Sequence, residues 1–387
     1  MNDTGLGLEL LETGHSWSFH RKLVVRVGRA LDNDVAIAHP AVSRHHLELK
    51  RSGRGWTLTN LGINQTYWQG HPVHHSRLPS TLVLELAPDG PHLKVQQLPP
   101  CTHEDNPPTN LFCEHCGEPL RSVGQVADYR LVRPLGMGGM ATTYLAWHPN
   151  GGTCVVKEMN PELFDNPKAR ELFEREAELQ ARLIHPGIPK LFTHLHLGDR
   201  AYLVMEMIHG LDLEQWVLTR GPVSSPQAIA WLIALCDILQ YLHSQRPPVM
   251  HRDIKPANLL VRERDQHLFL IDFGAVKELG RGAGTSIGAP SYSAPEQLLG
   301  KTVPQSDLYA LGPTFLFLVT GADPQRFFRW QNGRRTLNPT TLKGLFPPVL
   351  PVLQKLTAPL VGDRYPNAAT VAAALRACLP PSAEILV

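Results

Sequence analysis

At 387 residues, with 43% hydrophobic and 19% charged residues, the chain has the composition of a globular protein with room for two or three domains, which excludes the disordered and fibrous classes. The net charge of +2 divides into 10 Lys/Arg against 8 Asp/Glu over residues 1–100 and 27 of each over residues 101–387. Neither part has the basic surplus that a phosphate backbone demands, so no nucleic-acid partner is expected.

No apolar stretch reaches the ~18–20 residues of a membrane span. The longest, 228–241 and 308–319, contain Asp237 and the Gly312-Pro313 pair, and are expected to be helices inside a domain. With no basic-then-apolar leader, the expected location is cytoplasmic, where the six cysteines are free, metal-bound or catalytic.

From residue 6 to about 97, short alternating runs at 23–27, 35–38, 46–50, 56–59 and 82–86 are punctuated by Gly, Asn, Asp and Pro. This pattern predicts an all-β sandwich or barrel over 1–98. Over 99–122, Pro99, Pro100, Pro107 and Pro108 forbid regular structure while Cys101, Cys113 and Cys116 cluster, so a stapled linker is expected. A third part, 127–380, opens with strand-like runs at 129–134, 142–147 and 153–158. A helix at 168–183, a strand at 201–206 and long helical segments follow, an α+β layout. On that first helix Leu172, Glu176, Leu179 and Leu183 share one face, which sets a carboxylate within an apolar stripe. Glu176 there either pairs with a cation, Lys157 being the obvious one, or reaches past the stripe to water.

Gly136, Gly138 and Gly139 lie between two strand-like runs, where a backbone without side chains can offer N–H groups to phosphates; alone, the pattern fits an ordinary turn equally well. Nineteen residues after Gly138, Lys157 ends the apolar run Val155-Val156 and can hold the α- and β-phosphates of ATP. The specific signal is His251-Arg252-Asp253-Ile-Lys255-Pro-Ala-Asn258, followed by Asp272-Phe273-Gly274. Phosphoryl transfer demands positioning and charge neutralisation. Asp253 can accept the proton of a substrate hydroxyl, Lys255 can neutralise the transferring phosphate, and Asn258 and Asp272 supply oxygen ligands for Mg²⁺.

On these motifs, residues of about 129–378 resemble a protein kinase of the eukaryotic-like type found in bacteria, with a bilobal fold, ATP and Mg²⁺ as implied cofactors and protein Ser/Thr hydroxyls as implied acceptors. The resemblance takes in Ala294-Pro295-Glu296, Asp307 and Arg364, the last expected to pair with Glu296. It makes Met205 the gatekeeper and gives the backbone of Glu206 and Met207 to adenine. Lys255 resembles the Ser/Thr rather than the Tyr class. Two positions depart from the family: Ala141 replaces the third glycine of the phosphate loop, and Ala289 replaces the threonine that ties the catalytic aspartate and lysine. The alternative they raise is a scaffold that binds ATP and phosphopeptides without turnover.

In the first part, Gly28-Arg29, Asn33-Asp34-Val35, Ser43-Arg44-His45-His46 and Asn60-Leu-Gly-Ile-Asn64 each read alone as turns, solvated charges or an interior histidine. Together they resemble a forkhead-associated (FHA) domain, which binds phosphothreonine peptides. The resemblance gives the phosphate to Arg29, Ser43 and Arg44 and the peptide backbone to Asn64, with Gly28 and His46 structural. It implies phosphothreonine proteins as partners, or the chain's own activation loop phosphorylated at Thr285. Cys113-Glu-His-Cys116-Gly has the spacing of a metal knuckle, and Cys101 with His103 can complete a Cys₃His zinc site, His115 competing for the fourth place. This resembles zinc-ribbon-like modules attached to some bacterial kinases. Cys154, Cys236 and Cys378 read as core. His71, His74 and His75, and likewise His194 and His196, have no acid or cysteine near them in sequence and read as surface residues.

Overall fold

The computed structural model describes residues 4–20, 22–52, 55–99, 101–278, 289–331, 333–342 and 347–379. Thr285 and the loop around it lie outside these. Contacts divide the chain into two units, Met1–Gly136 with Tyr144–Cys154, and Met137–Thr143 with Val155–Val387.

The first unit begins with eleven strands: β1 Gly5–Leu10, β2 His15–Phe19, β3 Val24–Gly28, β4 Val35–Ala36, β5 Leu47–Ser52, β6 Gly55–Asn60, β7 Thr66–Trp68, β8 His71–Val73, β9 His75–Arg77, β10 Thr81–Leu86 and β11 His92–Leu98. They form one sheet in the order β2-β1-β11-β10-β7-β8 and another in the order β4-β3-β5-β6-β9. Alternate residues face a shared core of Leu6, Leu8, Val25, Val27, Leu47, Leu49, Trp56, Leu58, Leu84 and Val95, as a two-sheet sandwich requires. Every pairing is antiparallel except β3 with β4. Residues 101–122 follow with no helix or named strand; turns and an antiparallel bridge of Phe112 with Pro119 shape them, and at Cys113–Gly117 the Gly117 N–H donates to Cys113 O at 2.7 Å. Gly117 holds φ +66° there, a region that favours glycine. Next, β12 Gly124–Val126 pairs antiparallel with β13 Tyr129–Met137.

Strands β13, β14 (Ala141–His148) and β15 (Gly152–Met159) are each divided between the two units. Helix α1, Pro167–Arg182, starts where Asn166 accepts from the N–H groups of Lys168 and Ala169, with Pro167 at the first helical position. Its buried face is Ala169, Phe173, Glu176, Ala177, Leu179 and Gln180. Glu176, Leu179 and Leu183 of the expected stripe are buried, while Leu172 is only half-buried and Phe173 takes its place, packing with Met159 and Leu203. β16 Leu191–Leu197 and β17 Arg200–Glu206 form a hairpin.

The remainder is β18 Gly210–Asp212, α2 Leu213–Arg220, α3 Ser225–His243, β19 Val249–Met250, β20 Leu259–Arg262, β21 Leu268–Leu270, β22 Lys277–Glu278, α4 Pro295–Leu298, α5 Pro304–Thr320, β23 Phe328–Gln331, β24 Arg334–Leu337, α6 Leu350–Leu356 and α7 Ala368–Arg376. The core is centred on α3 and α5, which bury Leu232, Leu235, Leu239, Leu311, Phe315 and Leu318. Gly312 and Pro313 sit inside α5 without ending it. Gly312 is glycine because a Cβ there would overlap the Thr357 side chain. Among the described residues no helix is long and apolar enough to cross a membrane.

Candidate active site

Lys157 projects from β15 and donates to Glu176 Oε1 at 2.6 Å and to Asp272 Oδ1 at 3.0 Å. Burial opposes its charge, yet the Glu176 and Asp272 carboxylates hold its pKa above the ordinary lysine value. Glu176 is 6% exposed, so the ion-paired alternative holds and the solvated one does not. Asp272 keeps half its side chain exposed and sits at φ +61°. Gly274 is packed against this group: a Cβ there would lie 3.3 Å from Lys157 Nζ and from Asp272 Oδ1. Ahead of it in chain order, the turn between β13 and β14 is braced by Asn160, whose Nδ2 donates to Gly138 O at 2.8 Å and whose Oδ1 accepts from Thr142. Gly136 lies in β13 and Gly139 in the turn, where a Cβ would meet nothing within 4 Å. Met205 and Glu206 end β17 and Met207 follows; the Glu206 N–H donates to Lys190 O at 2.8 Å.

The loop after β19 is organised around Asp253. Its Oδ2 accepts from Lys255 Nζ at 2.8 Å and from Asn258 Nδ2 at 2.9 Å, while Asn258 Nδ2 also donates to Asp253 O at 2.7 Å. The loop is fixed from below by Asp307, fully buried in α5, which accepts from the N–H groups of His251 and Arg252 at 2.9 and 2.8 Å and from His243 Nε2 at 2.9 Å. Burial raises the Asp307 pKa, but these donors hold it below the usual carboxylate value. Arg252 has φ +68° and is 6% exposed. Its guanidinium donates to Ala275 O, and among the described residues it has no carboxylate within 4 Å. The Ala289 carbonyl accepts from the N–H groups of Tyr292 and Ser293 and from Ser293 Oγ. Glu296 and Arg364 form a fork-to-fork pair at 2.7 and 2.9 Å.

In the first unit the Arg29 N–H donates to Ser43 O at 2.9 Å, joining the end of β3 to the loop before β5. Arg29 and Arg44 are exposed and Ser43 is half-buried. Asn64 joins the same group, its N–H 3.5 Å from Ser43 Oγ and its Nδ2 donating to Ala41 O at 2.7 Å. Buried His46 fixes the base through Nδ1, which accepts from the Ser43 N–H, and through Nε2, 3.1 Å from Thr66 Oγ1. Two residues inside the quoted motif runs carry roles that the resemblance did not assign. Asn33 donates to Ala30 O and Arg44 O, and Gly62 is glycine because a Cβ would lie 2.6 Å from Ser43 Oγ.

Residues 129–341 match the model of the protein kinase domain, more than half of the chain. The chain belongs to the protein kinase family. Residues 25–87 match the model of the FHA domain. Serine/threonine-protein kinase B of Synechocystis sp. is 38% identical over 59% of this chain and 42% of its own length. Serine/threonine-protein kinase F of the same organism is 36% identical over 68% and 57%. The chain thus spans about half the length of these curated relatives. The crystal structure of the Mycobacterium tuberculosis PknI kinase domain aligns with a TM-score of 0.54 at 28% identity, covering 67% of this chain and all of that one.

Between the FHA domain and the kinase domain, Cys101, His103, Cys113 and Cys116 bring their donor atoms within 4.8 Å of one another. Cys101 Sγ is 3.6 Å from Cys113 Sγ, and Cys116 Sγ is 3.9 Å from His103 Nδ1. The group places His103, not exposed His115, beside the sulfurs. Burial raises the Cys113 pKa, but N–H donors from Cys116 and His115 and the Asn106 amide bring it down to about 6, while burial pushes Cys116 up to about 12. Cys154, Cys236 and Cys378 are buried in cores, as the sequence suggests.

Proposed function

We propose that the chain is an ATP-dependent serine/threonine protein kinase whose N-terminal domain reads phosphothreonine, laid out as an FHA-like sandwich over 1–98, a zinc-ribbon-like module over 99–122 and a bilobal kinase domain over 127–380. The observation that carries it is the joint assembly of Lys157, Glu176 and Asp272 with Asp253, Lys255 and Asn258. Asn258 spends its amide N–H groups on Asp253, which leaves its Oδ1 for a cation, and Asp272 presents a half-exposed carboxylate. The pair fits a magnesium ion, which when bound neutralises phosphate charge. Lys157 holds the α- and β-phosphates, and the Glu206 carbonyl and Met207 N–H serve adenine beside Met205. Gly136 and Gly139 leave room for phosphate beside the turn, and Gly138 is held within it by Asn160. Asp253 Oδ2 takes the proton of the acceptor hydroxyl as its oxygen bonds to the γ-phosphorus and the bond to ADP breaks, while Lys255 steadies the charge that builds up. The scaffold alternative is not retained, since Ala141 and Ala289 remove no charged group from this assembly.

For the staple, a tetrahedral zinc with bonds of about 2.3 Å to sulfur spaces two sulfurs about 3.8 Å apart, close to the 3.6 Å between Cys101 and Cys113. Zinc on four protein ligands is closed and structural. A cytoplasmic setting goes with this reading, because thiolate ligation needs reduced cysteines. Arg252, buried with no carboxylate within 4 Å among the described residues, suits a phosphate on the activation loop, for which Thr285 is the candidate and also a candidate ligand of Arg29 and Ser43. The test is transfer of labelled γ-phosphate to a generic Ser/Thr protein substrate. Lys157→Met should lower it at least about a hundredfold, the scale of losing one charge-stabilising donor; equal transfer by both chains would remove the reading.

A further inference from the structure

His194 and His196 stand two residues apart on β16, so the pleat turns both rings to one face. Glu174, in the middle of α1, comes against that face. Its Oε2 lies 3.5 Å from His194 Nε2 and its Oε1 3.2 Å from His196 Nε2. The imidazoles meet edge to face with centroids 4.4 Å apart, and the three donor atoms all fall within 4.8 Å of one another. His194 Nε2 is buried without a hydrogen bond. Leaving a buried polar atom unmet costs about 1–3 kcal/mol, so this nitrogen calls for a partner. The sequence reading that left both histidines without an acid is corrected here, since the acid comes from a helix some twenty residues earlier; His196 is exposed, as that reading expects, and His194 half-buried.

We propose that Glu174, His194 and His196 bind a divalent transition metal of the zinc class, which fastens α1 to β16. Bonds of about 2.0–2.2 Å in a tetrahedron set donor atoms about 3.3–3.6 Å apart, and the observed nitrogen–oxygen distances of 3.5 and 3.2 Å, one to each carboxylate oxygen, are close to that spacing. Two imidazoles and one carboxylate suit zinc; magnesium and calcium favour oxygen donors and more of them. The fourth position falls to water, so this metal is exchangeable, unlike one held by four protein ligands. Glu178, one turn along α1, adds negative potential at His194.

The place of the site gives it a consequence. At 100° per residue, Glu176 lies about 200° round the helix from Glu174, one side chain reaching Lys157 and the other β16. A metal on Glu174 therefore limits the rotation of α1 that would draw Glu176 away from Lys157. That consequence rests on the kinase reading; the site itself does not.

The test uses the untagged full chain, stripped with chelator and reloaded with Zn²⁺, with bound metal and thermal midpoint as readouts, neither of which needs phosphoryl transfer. The unsubstituted chain should hold one more equivalent than His196→Ala or Glu174→Gln, and only it should show the full rise in midpoint with zinc. His196 is exposed, so its loss leaves folding intact. Co²⁺ separates this site from the staple: thiolate ligation absorbs intensely in the near ultraviolet, whereas imidazole and carboxylate give weak visible bands. Those weak bands should persist in Cys113→Ser and vanish in His196→Ala. Equal metal content and equal midpoint shifts in all three chains would reduce the cluster to an ordinary histidine–glutamate ion pair and overturn the proposal.

Discussion

Arg364→Ala should be among the most destabilising single substitutions in the kinase domain. The arginine side chain is fully buried and Glu296 is 14% exposed, so solvent screens the pair little. Arg364 makes two bonds to Glu296 and donates also to the carbonyls of Ala358, Gln305 and Pro359. Removing it leaves a largely buried carboxylate held by Ser306 Oγ and its own backbone N–H, and three carbonyls without this donor. Breaking a buried pair from one side costs about 3–5 kcal/mol. With a urea slope of about 3 kcal/mol/M for a domain this size, the midpoint should fall by roughly 1–2 M. Equilibrium unfolding followed by fluorescence and circular dichroism measures it. The pH dependence gives a second reading. Burial raises the Glu296 pKa, but Arg364 and Ser306 outweigh it and hold the value below the ordinary 4.5. A depressed carboxyl pKa gives stability that is complete above the unfolded value and lost as pH falls through the folded one. The gap between wild type and Arg364→Ala should therefore be full at pH 7 and narrow below pH 4.5. A shift under about 0.5 kcal/mol at pH 7, within the range of an ordinary surface substitution, would refute the claim that the pair anchors this region.

Three further outcomes follow from the sites. Ala289→Thr should raise or retain turnover, because Lys255 and Asn258 already hold Asp253 directly; a large loss in steady-state kinetics would show that the loop here follows another geometry. Cys113→Ser should cost one equivalent of bound zinc with little change in turnover, checked by elemental analysis; unchanged zinc content would leave the four donors as a linker without metal. Binding of residues 280–290 as a peptide phosphorylated at Thr285 to the full chain should weaken at least about tenfold in Arg29→Ala, the ~1.5–3 kcal/mol of a charge-assisted bond to phosphate. Titration calorimetry against the unphosphorylated peptide checks it, and equal binding of the two peptides would remove phosphothreonine recognition.

The proposed catalytic residues were legible because each sits in a short contiguous run with chemistry of its own, as Asp253 to Asn258 do. Their supports were not. Asp307 organises that loop from 54 residues beyond Asp253, and His243 reaches Asp307 from the end of α3. Asn160 looks like a loop residue until its amide is seen bracing the turn at Gly138. In the sandwich, the five expected runs became β3, β4, β5, β6 and β10, where alternation marks one buried face. Strands β7, β8 and β9 are three residues each, too short for alternation to register. The partnership of Glu174 with His194 and His196 arises only when α1 packs on β16, and no local pattern carries it.

The central claim, that Asp253 is the base of a phosphoryl transfer to hydroxyls, is tested most directly by Asp253→Asn. Asparagine keeps the size of the side chain but cannot take the proton. With labelled ATP, Mg²⁺ and a Ser/Thr protein substrate, the unsubstituted chain should transfer phosphate and the variant should be slower by about 10²–10⁴-fold, with ATP affinity little changed. Transfer at the same rate in both chains, or none by the unsubstituted one, would contradict the account.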